Sequence, residues 1–552
     1  MRKADSSVAV VALTLVLLTL LTELTAAVPA KRAPPASGAS PPPTANRTQA
    51  EEEGDVIMHP RSSRHQLKAG SKQSLDETDP NYWHNVAKTQ LKNTLKRELI
   101  VTPAKSTILF LGDGMSIPTI TAARIFEGQR KGLSGEGHSL FFEKFPYIGL
   151  SKTYSVSDMV TDSAASGTAY LCGVKTNQGV LGLTAAVSTG DCKASQNTST
   201  HVHSILKWAQ DAGMSTGVVT TTRVTHASPA AGYAHVANRD WENDADVAAD
   251  KQDPHACPDI AQQLVHGDTG RRLNVVMGGG RRNFLPKDAK DEEGRKGKRL
   301  DGRNLIAEWL KEKSHRGLRS LYIWNRDQLK AVDDKTTDYL LGLFESSHMR
   351  YHLEANPSTE PTLAEMTSTA IKILSKNPRG YFLFVEGGLI DHGHHGARAQ
   401  LALDETVEFA DAVRTASVAT SEKDTLIVVT ADHAHTMSLA GYARRGGPIL
   451  GIAGQSNKDK LPYSILAYSN GPGYKKPNFH GKRYDISHDN TDNVSYRFPS
   501  VAPMGAESHG GDDVAVFAKG PWAHIFSGNY ELNYVMHAMC YASGIGPASN
   551  WS

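Results

Sequence analysis

The residues best equipped for chemistry stand in tight groups. Asp391-His392-Gly393-His394-His395 puts three imidazoles and a carboxylate on one short segment, just after Glu386. Burying that many polar groups without a cation would leave them desolvated, so the segment reads as a metal-ligand cluster in a glycine-broken turn. Asp432-His433-Ala434-His435 repeats the chemistry farther along the chain. Taken singly, His394 or His435 reads as a satisfied structural histidine, and Asp113 as a turn or cap residue. Mixed Asp and His ligation without thiolates fits catalytic Zn²⁺, which accepts nitrogen and oxygen donors and keeps a position open. Oxygens from Asp, Glu and Ser fit Mg²⁺. Two cations about 4 Å apart are the arrangement that clamps attacking and leaving oxygens in phosphoryl transfer. A nucleophile for such a reaction stands in Thr161-Asp162-Ser163-Ala164-Ala165-Ser166-Gly167-Thr168-Ala169. Its small residues allow a helix starting near Asp162 or Ser163, and a helix N-terminus favours negative charge. Locally, Ser163 reads equally well as a plain N-cap.

These residues follow short apolar runs. Thr107 to Leu111 leads into Gly112-Asp113-Gly114, Tyr381 to Val385 into Glu386, and Thr425 to Val429 into Thr430-Ala431-Asp432-His433. Gly217-Val218-Val219 leads to His226 and Ser228. Continuous apolar runs of this length suit strands buried on both faces of a parallel sheet. Helical stretches over Val202 to Ala212, Met366 to Lys376 and Leu401 to Ala416 lie between them. The alternation predicts an α/β fold, with a doubly wound, mostly parallel central sheet flanked by helices. Functional groups then gather beyond the carboxyl ends of the strands.

The chain has 552 residues and a formal net charge of +2, with 39% hydrophobic and 21% charged residues. That balance excludes a wholly disordered chain, a collagen and a multi-span membrane protein. It also provides no broad basic field, and no nucleic acid partner is expected. With 23 His against 4 Cys, metal chemistry here must be mostly nitrogen and oxygen chemistry. Arg2 and Lys3 precede an apolar run from Val8 to Leu21, which reads as a signal peptide over residues 1–30. Residues 31–78 hold Pro34, Pro35, Pro41 to Pro43 and Glu51 to Glu53, and read as a flexible segment. Entry to the secretory pathway makes the glycan acceptor triplets meaningful. Asn197 and Asn493 are favoured over Asn46 and Asn550, which lie near the ends. Four Cys can pair fully in three ways, and spacing selects none of them. The segment 546–552 carries no hydrophobic tail of the kind a lipid anchor signal needs, so a secreted form is expected, with membrane association only through such a lipid.

Beyond these readings, the chain resembles the animal alkaline phosphatases from about Asp79 to Cys540. The likeness rests on Phe110-Leu111-Gly112-Asp113-Gly114-Met115, Thr161-Asp162-Ser163-Ala164-Ala165 and Thr222-Arg223-Val224-Thr225-His226-Ala227-Ser228-Pro229. It rests further on Val385 to Gly388 through Asp391 to His395, on Thr430-Ala431-Asp432-His433 and on Glu507-Ser508-His509-Gly510. The resemblance implies a catalytic domain over 79–545 and phosphate monoester hydrolysis at alkaline pH through a phosphoserine at Ser163. It implies a first zinc on Asp391, His395 and His509, and a second on Asp113, Asp432 and His433. It implies magnesium on Asp113, Ser228 and Glu386, and a phosphate clamp by Arg239. His392, His226, His435 and Asp162 take supporting places around these groups. A calcium site on Glu293, the Phe344 carbonyl, Glu345 and Glu360 is implied as well, although the 287–297 region is short and Glu360 stands where Asp is the family's residue. A disulfide Cys192–Cys257, a free buried Cys172, and a homodimer with a crown-like insertion over about 440–506 complete the set. Tyr442 there matches a residue that reaches the partner's active site.

Two other readings compete. A phosphodiesterase or sulfatase relative would carry Thr or a modified Cys at position 163 and would lack the Ser228/Glu386 pair. A secreted binding glycoprotein with a dead site would lack a ligand or the nucleophile.

Overall fold

Strand β1 (Ser106–Gly112) is buried along its whole length. The reason is visible in its alternation: Leu109 and Leu111 point into one hydrophobic cluster, Ile108 and Phe110 into another on the opposite face. Each such side chain, fully buried, contributes about 1.5–3 kcal/mol. The computed structural model describes residues 77–551, so the signal segment, Asn46 and most of the 31–78 segment lie outside the described residues. Of the described residues, 92–551 form one packing unit and 77–91 belong to another. Among the described residues, no helix is long and apolar enough to cross a membrane.

The larger unit is built on a ten-stranded sheet. After β1 come β2 (Tyr147–Lys152), β3 (Ser215–Arg223), β4 (Val275–Gly279), β5 (Ser320–Ile323), β6 (Tyr339–Leu343), β7 (Tyr381–Gly387) and β8 (Thr425–Thr430). Val514–Lys519 and Gly528–Glu531 supply β9 and β10. The spatial order is β10-β2-β9-β8-β1-β7-β3-β4-β6-β5. Every neighbouring pair is parallel except the two made by β9, which runs against β2 and β8. This is the expected α/β architecture.

Register sets the functional edge. Leu111 pairs with Glu386 on β7 and with Thr430 on β8, and Glu386 pairs with Thr220 on β3. Asp113, Glu386 and Asp432 therefore leave the sheet at one edge, beyond the carboxyl ends of their strands. On one face, α1 (Ile117–Arg130), α3 (Leu363–Leu374) and α5 (Ala399–Ala419) pack around Phe409, Met366 and Ile120. On the other lie α2 (Ser163–Cys172) and α6 (Tyr534–Ser543), around Tyr170, Leu171 and Met539.

Residues Asp391 to His395 are not a glycine-broken turn. They belong to a short helix, α4 (Leu389–His395). Gly393 is there for packing: a Cβ at this position would come within 2.8 Å of Ala402 N on α5. Within the 440–506 stretch, Leu466–Gly471 joins Met437–Leu439 and Ser500–Pro503 in a three-stranded sheet, while Ile452–Gln455 pairs with Pro462–Ser464. Cys192 and Cys257 form a disulfide, and Cys172 and Cys540 are free and buried.

Candidate active site

The sequence around Ser163 makes a helix with a polar N-terminus and a buried body. Asp162 is the N-cap and accepts from Ala165 N at 3.1 Å, while all ten residues of α2 are buried, which their small side chains permit. Ser163 is thus the first helical residue rather than the cap. Its Oγ lies 3.3 Å from His433 Nε2.

Three histidines are fixed in one tautomer by backbone carbonyls. His509 Nδ1 donates to Thr161 O at 2.8 Å, His395 Nδ1 donates to Glu507 O at 2.5 Å, and His433 Nδ1 donates to Ala434 O at 3.3 Å. Each ring then presents a bare Nε2 lone pair. Those of His395 and His509 face one another at 3.2 Å, with Asp391 oxygens 3.3 and 3.4 Å away. That of His433 meets Asp113 Oδ1 at 3.4 Å and Asp432 Oδ2 at 3.2 Å. Lone pairs converging on lone pairs and carboxylates repel unless a cation lies between them. Carbonyl partners that fix the ring in this way are the usual outer support of a metal-binding histidine.

The electrostatics agree. Burial, and after it the charges of Asp432, Asp391 and Glu386, push the Asp113 carboxyl well above its ordinary range. Burial pushes Glu386 up to about 7, against the pull of the Thr220 and Thr222 hydroxyls that donate to it. Both Asp113 oxygens, Glu386 Oε1 and Ser228 Oγ are buried without a hydrogen-bond partner. Buried polar atoms are almost always paired, so four orphaned oxygens together mark a place for a hard cation. Asp391 behaves otherwise: burial would raise it, yet His395, His435 and His509 hold it well below the usual carboxylate range. Burial also holds His433 low, and hence neutral, which is the ligand form.

Arg239 donates from Nη1 to Asp162 Oδ2 at 3.0 Å and from Nη2 to His226 Nε2 at 3.2 Å, so the N-cap aspartate also aims the guanidinium. His435 stands between Asp391 and Glu507. Burial opposes its charge, but those two carboxylates hold it up at about 10. His394 is the satisfied structural histidine of the cluster, with Nε2 2.9 Å from Thr119 Oγ1 and Nδ1 3.0 Å from Tyr468 OH.

Groups of possible ligands confirm which residues converge: Asp113 with Asp432 and His433, Asp391 with His433, His435 and His509, and Asp113 with His226 and Glu386. His392 gathers instead with His226 and His348. His348 was not singled out by the sequence reading; it is a lone histidine in the loop after β6, engaged by the Arg223 guanidinium. Glu507, in the Glu507-Ser508-His509-Gly510 motif, holds His435 and the Thr436 backbone. In the calcium set, Glu345 and Glu360 lie together beside Arg350, and burial, with the neighbouring Glu345 charge, pushes the Glu360 carboxyl up to about 7. Glu293 is bonded to Arg281, while Arg350 lies 3.2 Å from Glu345 and 3.5 Å from Glu360. The acids there carry guanidinium partners rather than orphaned oxygens. Asn197 and Asn493 are exposed, and Tyr442 is exposed within the 440–506 stretch.

Comparison with known proteins agrees with this geometry. A family model described as Alkaline phosphatase matches residues 104–545. A membrane-bound alkaline phosphatase of Bombyx mori is 48% identical over 494 residues, covering 89% of this chain and 90% of its own. The tissue-nonspecific isozyme of alkaline phosphatase from Rattus norvegicus is 48% identical over 477 residues, covering 85% and 90%. Among solved structures, the alkaline phosphatase of the Antarctic bacterium TAB5 superposes with a TM-score of 0.55 at 24% identity, over 81% of this chain and 99% of its own, a likeness of fold. The chain belongs to the alkaline phosphatase family.

Proposed function

We propose that this protein hydrolyses phosphate monoesters to an alcohol and inorganic phosphate through a phosphoserine at Ser163. The observation that carries the reading is the set of carbonyl-fixed imidazoles whose bare Nε2 atoms meet the oxygens of Asp391, Asp113 and Asp432, with one of them, His433 Nε2, 3.3 Å from Ser163 Oγ. Asp391, His395 and His509 would hold one zinc, and Asp113, Asp432 and His433 a second. Asp113, Ser228 and Glu386 would hold magnesium. Bound there, such cations lower the pKa of a hydroxyl or a water and offset the charge of phosphoryl oxygens.

The chain's own groups then do the following. Ser163 Oγ attacks phosphorus in line, the new Oγ–P bond forms, and the ester P–O bond breaks to release the alcohol. Water next attacks the phosphoserine, returns Ser163 and frees phosphate. Arg239, aimed by Asp162 and His226, presents a planar fork to two phosphoryl oxygens. His392 and His435 support the groups around it. Recognition confined to the phosphoryl group gives broad monoester specificity. Deprotonation of serine and water gives an alkaline optimum. In this reading, calcium competes with Arg350 for Glu345 and Glu360, and no step of the reaction needs it.

A homodimer in which Tyr442 approaches the partner's site, glycans on Asn197 and Asn493, and a place in the secretory pathway or on the outer cell surface complete the proposal. The test is Ser163→Ala: turnover of p-nitrophenyl phosphate should fall by about 10⁴-fold or more while bound zinc is retained. Full activity in that variant would sink the covalent route.

A further inference from the structure

Tyr170 lies on α2, seven residues beyond Ser163, where the helix period returns a side chain to nearly the same face. It is completely buried, and its ring stacks on Phe384 of β7 with centroids 6.2 Å apart. Its hydroxyl has no hydrogen-bond partner. An orphaned buried hydroxyl costs about 1–3 kcal/mol, so it demands an explanation. The location supplies one. A Cβ built at Gly167 would stand 3.6 Å from Tyr170 Oη and 3.7 Å from Ser228 Cα, so the phenol and the Ser228 turn flank the same gap beside the helix. The same cluster holds the other orphans, Ser228 Oγ, Glu386 Oε1 and both Asp113 oxygens. Ser228 is also the side chain whose hydroxyl bears on the phenol, although no hydrogen bond of good geometry joins the two.

We propose that Tyr170 is a positioning residue for the magnesium locus: its hydroxyl donates to Ser228 Oγ and turns that oxygen toward the cation. A hydroxyl has two lone pairs and one proton. With one lone pair taken by Tyr170 and its proton given to Glu386, Ser228 has a single lone pair left to offer. A cation entering between Asp113, Ser228 and Glu386 accounts for three of the orphaned groups, and Tyr170 is the donor left over. The helix that carries the nucleophile is thereby tied to the oxygens under it. This rests on the magnesium assignment above, and the experiment separates the two.

Tyr170→Phe removes one oxygen and keeps the stacked ring. Magnesium binding to zinc-loaded protein is measured by equilibrium dialysis for wild type and variant, together with zinc content and thermal unfolding without magnesium. The variant should bind magnesium about 10- to 100-fold more weakly, the usual cost of losing an outer-shell partner. Zinc content and the magnesium-free unfolding midpoint should stay close to wild type, and activity should recover at saturating magnesium. A binding curve superimposable on wild type overturns the role of Tyr170, as does a loss confined to thermal stability. Failure of the wild type itself to take up magnesium would overturn the locus instead. Should Tyr170→Phe fold poorly, the same titration on Gly167→Ala, whose Cβ meets Ala231 Cβ at 2.9 Å and crowds the gap, reads the same contact. Unchanged magnesium affinity there overturns the proposal as well.

Discussion

Two regions of this molecule bury acids, and they manage the charge in opposite ways. In one, each acid meets a guanidinium. Arg299, fully buried, lies 3.0 Å from Asp259 and 2.5 Å from Asp301, and Arg281 reaches Asp291 at 3.0 Å. In the other, Asp113, Glu386, Asp391 and Asp432 share a pocket with imidazole lone pairs, and Arg239 and the charged His435 ring are too few cations to balance them. An arginine cluster is electrically complete when the chain folds. The serine centre is not, and it must take its positive charge from solution. That difference marks the second region as reactive and the first as structural, since breaking a buried ion pair costs stability without creating chemistry.

The comparison breaks most sharply under chelation. Stripping divalent cations should abolish phosphatase activity and weaken the fold, but leave the arginine clusters intact. Urea unfolding of the stripped protein adds a pH test. Glu386 titrates at about 7 when folded against 4.5 in a free carboxyl, so the folded state keeps a proton that the unfolded state has released. The stability this contributes is complete below about pH 4.5 and is lost as pH rises through about 7, by at most about 3 kcal/mol. Stripped protein that grows more stable across that window would contradict the reading, and magnesium-loaded protein should lose the effect.

Arg239→Ala comes next in size. Removing one preorganised donor to the transition state should cut kcat/KM by about 10²-fold or more, with metal content unchanged. A smaller change than tenfold would mean the guanidinium serves Asp162 rather than substrate.

Glu405 stands away from the chemistry, beside a cavity of about 320 Å³ that Arg326, Arg350 and Glu360 also line. Burial pushes its carboxyl up to about 8. The folded acid keeps its proton up to about pH 8 while the unfolded one releases it near 4.5, so Glu405→Gln should stabilise the protein more at pH 9 than at pH 6, by a difference of at most about 3 kcal/mol. Equal effects at both values would show that burial does not raise this acid, whose Oε1 accepts from His352 N at 2.7 Å.

Much of this was legible from the sequence because β1, β7 and β8 are apolar throughout and end in their functional residues. Their register then forces Asp113, Glu386 and Asp432 to a common edge. The predicted helices over 202–212, 366–376 and 401–416 appear at Ile205–Asp211, α3 and α5, displaced by a few residues, as helix ends set by caps such as Thr362 escape a periodicity argument. The α4 helix was read as a turn because Gly393 looks like a breaker; only the approach of α5 shows that its missing side chain is the point. His348 and Tyr170 gave no local signal. One is a single histidine in a loop and the other an aromatic in an apolar stretch, and what distinguishes them is the neighbours that distant segments bring.

Asp113 sits at a shared corner, converging with Asp432 and His433 on one side and with His226 and Glu386 on the other. Ions held on its two sides would not load independently. The first to arrive relieves the crowding of negative charge that burdens both pockets and orients a carboxylate common to them, while two cations near one carboxylate also repel. Occupancy measured against added metal should therefore depart from the sum of separate hyperbolas, and replacing Asp113 should empty two neighbouring pockets where replacing Glu386 empties one.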